Sequence, residues 1–527
     1  MSVKNIEEFL KDQNETIKDL YESVLTNHWM AATTGDKKWS EQHEKALNTY
    51  YSHFSGKELM DQVLYFRGAQ GLEYKQQRQL DDIYRKMLKN QLSAESLGKT
   101  LELEKEISQT FTAFRPILQG NEVTNNEIND ILKNSHDLVQ REEAWLASKQ
   151  ISKKIEAQVL QLVHKRNEDA RVLGYDNFYQ MSMETQELDI NNVFQILEDL
   201  KEQSDAPFEK LKQEIDEELA KKWGISVGDI RPWHYTDPFF QEAPAVQGID
   251  IDSYFKGKNV VEMANQTFQA IGLDIEDVLK RSDLYPRVNK NPFGFCSDIN
   301  REGDVRILVN LDKSLFWCTA LLHELGHAVY FKNIDRQLPF VLRFHSHTLT
   351  TEAVALFFGR MSKMDRWQKR FLGLKPSQLE EMKPFANKML QRQMLVSARW
   401  IITFSTFERK LYENPNQNLN QLWWKLVQDI QFMNPPEQTH FPDWAAKMHF
   451  SLAPASYQDY LLGELTASQL HCFIEKNISN DLFTEEVGSY LVHEFIRPGA
   501  SLHWNEKIKR ATGEYLNPRY FIKQFLS

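Results

Sequence analysis

The residues with the clearest capacity for chemistry are His323, Glu324 and His327, in the run Leu-Leu-His-Glu-Leu-Gly-His-Ala-Val-Tyr over 321–330. On a helix, two histidines four residues apart sit about one turn apart on one face, so both imidazoles can grip one metal ion. Glu324 stands beside them and can accept a proton from an activated water without being a ligand, the division of labour that metal-assisted hydrolysis requires. Leu321, Leu322, Leu325, Ala328 and Val329 make the helix a buried one. Two imidazoles and a carboxylate there would cost on the order of several kcal/mol unless a divalent ion compensated them.

Two histidines need a third His, Asp or Glu if the ion is to keep an open position for water. Downstream, Thr-Leu-Thr-Thr-Glu-Ala-Val-Ala-Leu-Phe-Phe-Gly over 348–359 is a second apolar helical run, and Glu352 is its one acid. Glu352 is the expected third ligand. His345 and His347, in the polar stretch before that helix, compete for the role or stand behind the ligands.

The elements around these residues read as mostly helical. Residues 4–26 place apolar side chains near the helical period, and Thr33-Thr34-Gly35-Asp36 breaks the run. From about 39 to 220 the pattern stays helical, with charged residues on the outer faces. Near 223 the composition shifts to Arg231-Pro-Trp-His-Tyr-Thr-Asp-Pro-Phe-Phe, an irregular aromatic loop that either packs or lines a cleft. After a helix over 260–271, Asn291-Pro-Phe-Gly-Phe-Cys-Ser-Asp and Asp304-Val-Arg-Ile-Leu-Val-Asn read as two short strands about a turn at 301–304. They lead into the histidine helix, where an exposed strand could pair with an extended peptide. Helix resumes over 379–407 and 419–433. Near the end, Tyr457 and Tyr460 share a helical face not far after His449. Such residues serve equally as core side chains with satisfied polar tips or, beside a metal, as donors to an oxyanion.

No Pro/Gly/Ser-rich linker, repeat or low-complexity tract divides the 527 residues, so one large domain is expected. Only 21 Gly and 17 Pro favour helix over sheet, and no apolar run reaches the length of a membrane span. The net charge of −11 argues against nucleic-acid or anionic-membrane partners. Three scattered cysteines suggest neither a disulfide framework nor a thiolate zinc site. Acids near the amino terminus, where a secretory signal would be apolar, lead us to expect a soluble cytoplasmic protein.

These residues resemble the angiotensin-converting-enzyme family of zinc peptidyl-dipeptidases and, more distantly, the thimet oligopeptidase family, both gluzincins. His-Glu-Leu-Gly-His is followed by Glu352 25 residues beyond His327, and Lys447-Met-His449 then Tyr457-x-x-Tyr460 are similar to the family's Lys-Phe-His and paired tyrosines. Asn167 to Met181, Glu184-Thr, Trp233 and Asp304-Val-Arg-Ile extend the likeness along most of the chain. The resemblance implies a helical ellipsoid with a deep central channel, an N-terminal lid subregion over about 1–222, and a zinc and substrate subregion over about 223–527. It implies one zinc per chain on His323, His327 and Glu352, with Glu324 as general base and then acid. His449 and Tyr460 would stabilise the oxyanion, and Lys447 and Tyr457 would hold the C-terminal carboxylate of an oligopeptide, so that dipeptides are released.

Several positions depart from that pattern. Tyr235, two residues past Trp233, stands where the family has a carboxylate-binding Gln, so Tyr235 is the candidate third anchor and the anchor is weakened. Asp459 replaces a chloride-binding Arg, which removes the expectation of chloride activation. Leu356 replaces an acid behind the ligands, so another acid should steady a zinc-bound histidine. An oligoendopeptidase or metallocarboxypeptidase of the same fold is the alternative, and a non-catalytic helical protein with a structural zinc is the remaining one. Oligomeric state is not legible.

Overall fold

The computed structural model describes residues 5–244, 250–438 and 441–526. It is 70% helix and 3% strand, in keeping with the mainly helical expectation. The described residues form two compact units, each built from separated stretches: one within 1–91, 248–384 and 462–520, the other within 92–247, 385–461 and 521–527. No helix among the described residues is long and apolar enough to cross a membrane.

In the first unit the opening helix, Ile6–Thr34, starts where the Asn5 side chain accepts the Glu7 N–H. It outruns the expected end at residue 26, because Trp29 packs edge-on against Phe295 and the Thr33 hydroxyl bonds the Trp29 carbonyl. Residue 4, where the sequence pattern begins, lies outside the described residues. The helix stops at Gly35, whose φ of 63° suits glycine and whose absent Cβ would lie 2.3 Å from the Asn289 carbonyl oxygen.

The two expected strands form as Phe295–Asp298 and Val305–Leu308, shorter than their sequence runs and antiparallel, with Cys296 opposite Ile307. Arg301 (φ 52°) and Gly303 (φ 108°) turn the chain between them. The histidine helix Leu315–Lys332 follows, capped by Ser314, which accepts the Trp317 N–H. It packs on the carboxylate helix Thr348–Met361, capped by His347. Leu321, Leu322, Leu325, Ala328 and Val329 are fully buried there, each contributing roughly 1.5–3 kcal/mol for the larger side chains. Gly326 sets the spacing of the two helices, since a Cβ on it would lie 2.6 Å from the Ala355 Cα.

In the second unit the helices Leu138–Val172 and Ile190–Trp223 hold the aromatic loop. Arg141, Trp145 and Lys149 recur every four residues, on one face of the first of these helices. Arg141 donates to the carbonyls of Trp233 and Tyr235, while Trp145 and Lys149 both donate to that of Pro238. The loop is therefore packed and pinned through its backbone. A small hairpin, Ile117–Leu118 with Asn121–Glu122, interrupts the stretch read as continuous helix. Its two turn residues, Gln119 and Gly120, both have positive φ, as a tight hairpin requires.

Candidate active site

The first unit brings three predicted residues together. Ligand atoms of His323, His327 and Glu352 all lie within 4.8 Å of one another. Glu352 sits between the imidazoles, with one oxygen 3.7 Å from His323 Nε2 and the other 3.6 Å from His327 Nε2. The rings are 4.9 Å apart and nearly perpendicular. Tetrahedral ligands at about 2.0–2.1 Å from zinc are separated by roughly 3.3 Å, so the two His–Glu352 separations, each to a different carboxylate oxygen, exceed that spacing by a few tenths of an ångström.

The donor set fits a divalent ion. Burial lowers the His323 pKa to about 4 and holds His327 well below the ordinary range, so both imidazoles are neutral with a lone pair available. His327 Nδ1 is 2.8 Å from the Thr351 hydroxyl, which leaves Nε2 to face Glu352. Burial raises Glu352 to about 7; it also raises Glu324 to about 8, with Glu352 adding repulsion. Two carboxyls held this high are what a nearby dication would relieve. The Thr351 hydroxyl corrects the expectation of an acid behind the ligands. Leu356, at the position compared with the family's acid, lies instead toward Gly463, whose absent Cβ would be 3.5 Å from it.

Glu324 is not one of the three. It faces the strand side, where a Cβ on Gly294 would lie 3.5 Å from its Oε1. His345 and His347 do not join the ligands either. His347 Nδ1 accepts the Leu349 N–H as a helix cap, and the His345 ring lies against Phe331 and Phe344.

The second unit gathers His449, Lys447, Tyr457 and Tyr460. The His449 ring is 5.3 Å from that of Tyr457, which is 5.8 Å from that of Tyr460. Burial lowers His449 to about 4, leaving a neutral imidazole with one N–H to donate. Tyr460 is 55% exposed, an unusual position for a core tyrosine. Trp400 Nε1 donates to the Tyr457 hydroxyl at 2.9 Å, and the Tyr457 ring stacks on Phe404. Lys447 Nζ donates to Gln241 Oε1 at 2.7 Å and lies 5.0 Å from the Trp400 ring centre. Burial lowers its pKa to about 8, so it remains largely charged near neutrality.

Tyr235 is a correction. It is 1% exposed, and its hydroxyl donates to Asp216 Oδ1 at 2.8 Å, so it is a buried structural residue that cannot meet a substrate. Gln241 takes the place beside Lys447. Its location depends on Asp237, whose buried carboxylate accepts the N–H groups of Phe239, Gln241 and Glu242 and folds the loop back. Asp237-Pro in the sequence is a turn signal, but counting forward from Trp233 does not reach Gln241.

A family model described as Peptidase family M3 matches residues 131–526. Among curated proteins, Carboxypeptidase 1 of Bacillus subtilis (strain 168) is 24% identical over 301 residues, 52% of this chain and 58% of that protein. The chain therefore spans less than two thirds of the length of this relative. The family match reverses the order of the two resemblances: the thimet oligopeptidase side is the nearer. The zinc motif and the spacing to Glu352 are common to both families and could not rank them.

Proposed function

This chain belongs to peptidase family M3, and from that premise and the geometry we propose that it is a zinc-dependent peptidase of short oligopeptides that releases C-terminal dipeptides. The convergence of His323, His327 and Glu352 beside a non-ligand Glu324 carries this reading. A structural zinc site needs neither an open position nor an adjacent base, which argues against a non-catalytic protein.

His323, His327 and Glu352 would hold one zinc ion per chain. When bound, zinc supplies a Lewis acid that polarises the scissile carbonyl and acidifies water. Glu324 accepts the proton of the attacking water at its carboxylate and returns it to the departing amine, so that one group serves as base and then acid. We assign His449 and Tyr460 to donate hydrogen bonds to the developing oxyanion, on the neutral state of the first and the exposure of the second. Lys447, with Gln241 and Tyr457, is assigned the substrate's free carboxylate, because an ammonium with an amide and a phenol matches that anion.

The carboxypeptidase relative favours a second reading, removal of single residues from the same anchored end. Mass spectrometry of products from a free-acid peptide and from its C-terminal amide, with and without chelator, separates these possibilities. Dipeptide release confined to the free acid and abolished by chelator is the expected result. Equal cleavage of the amide refutes the anchor, and chelator-insensitive cleavage refutes the metal mechanism. We also propose a cytoplasmic location, on the small number and wide scatter of cysteines along the sequence.

A further inference from the structure

We propose that Gly294 is a positioning residue that keeps clear the space against Glu324 Oε1 in which the reacting water is held. The inference rests on the proposed role of Glu324. Gly294 immediately precedes the strand Phe295–Asp298, and two ordinary reasons for a glycine are absent. Its φ lies outside the left-handed region, so an L-residue can adopt its backbone conformation. Packing does not demand it either. A Cβ there would meet Glu324 Oε1 at 3.5 Å, the Leu308 carbonyl oxygen at 3.6 Å and Val309 Cγ1 at 3.6 Å, all ordinary contact distances.

What a methyl group would change is the surface of the carboxylate. A water hydrogen-bonded to Oε1 stands about 2.8 Å away, and a carbon 3.5 Å from the same oxygen removes part of the solid angle from which it can approach. Cys296, two residues on and so on the same side of the chain, is also small and lies within electrostatic reach of Glu324. Phe295 points the other way, onto Trp29 and His28. The strand thus turns small residues toward the proposed base and its bulk away from it.

The test is Gly294→Ala in the zinc-loaded full chain, alongside wild type and Glu324→Gln. Substituting alanine for a conformationally unneeded glycine restricts the unfolded chain, so Tm should hold or rise. Zinc content should stay at one per chain, kcat for a free-acid peptide should fall at least tenfold, and KM should stay within twofold. Unchanged kcat overturns the inference, and so does a loss of kcat accompanied by lost zinc at unchanged Tm. If the single variant is poorly folded, Gly294→Ala with Val309→Ala removes the Val309 contact while keeping the methyl beside Glu324. It should fold and remain slow, and recovered turnover overturns the inference. Calorimetric binding of acetohydroxamate, whose hydroxyl proton requires an acceptor beside the metal, reads the same space without turnover. At least tenfold weaker binding to Gly294→Ala supports the clearance role even if the wild type proves inactive, an outcome that would refute the proposed function instead. Equal affinity overturns the inference.

Discussion

Replacing Thr351 with valine should weaken zinc binding without touching a ligand. The hydroxyl of Thr351 lies 2.8 Å from His327 Nδ1, and the residue is 4% exposed, so no solvent stands ready to replace it. Valine keeps nearly the same shape and leaves the Nδ1–H buried without an acceptor. An unsatisfied buried donor costs about 1–3 kcal/mol, and at about 1.4 kcal/mol per decade that is roughly a 5- to 150-fold loss of affinity. Groups behind metal ligands typically contribute a similar factor, about 10- to 100-fold. Titration of the metal-free protein with zinc against a chromophoric chelator gives the dissociation constant. Thr351→Ser, which restores an oxygen, should recover most of the affinity. A valine variant within twofold of wild type would show that the hydroxyl does not orient His327, and the argument for Nε2 as the ligand atom would lose its support.

Gly326→Ala should be destabilising, because a methyl group 2.6 Å from the Ala355 Cα must push the two ligand-bearing helices apart. A loss of about 1–3 kcal/mol is expected from denaturant unfolding, with weaker zinc binding alongside; unchanged stability would mean that the helices do not approach through this glycine. Tyr235→Phe should lower stability by about 1–2 kcal/mol through its lost bond to Asp216 and leave KM unchanged. Gln241→Ala should do the reverse, raising KM for free-acid peptides while leaving stability unchanged. The Arg392 guanidinium, followed by Lys388, holds the Glu218 carboxyl at about 2 against an ordinary 4.5. Its stabilising effect is therefore complete above about pH 4.5 and is lost as the pH falls through about 2. The difference in unfolding midpoint between wild type and Glu218→Gln should shrink from pH 7 to pH 3. It will be small throughout, since the Glu218 side chain is 51% exposed and solvent screens the pair.

The convergence of His323, His327 and Glu352 could be read from the sequence because a helix converts fixed spacing into a shared face, and because Glu352 is the one acid in an apolar run. The two strands before the histidine helix were legible for a similar reason, as short apolar runs about a Gly-containing turn. Residues recruited through long-range folding were not. Gln241 reaches Lys447 only because the Asp237 carboxylate gathers three backbone N–H groups, and Tyr235 turns inward because Arg141 holds its carbonyl and Asp216 accepts its hydroxyl. Thr351 escaped notice because the residue behind a ligand was expected to be an acid, whereas any oxygen able to accept from an imidazole suffices. The hairpin at 117–122 has strands of two residues each, too short to leave a period in the sequence.

The central claim is that two imidazoles and one carboxylate enclose a single zinc ion, leaving a position open for chemistry. Zinc-edge X-ray absorption on the zinc-loaded protein examines that shell directly. The account predicts one equivalent of zinc with only nitrogen and oxygen neighbours, two of them imidazole, at about 2.0–2.2 Å. A sulfur neighbour at about 2.3 Å, or a spectrum unchanged in Glu352→Ala, would contradict it.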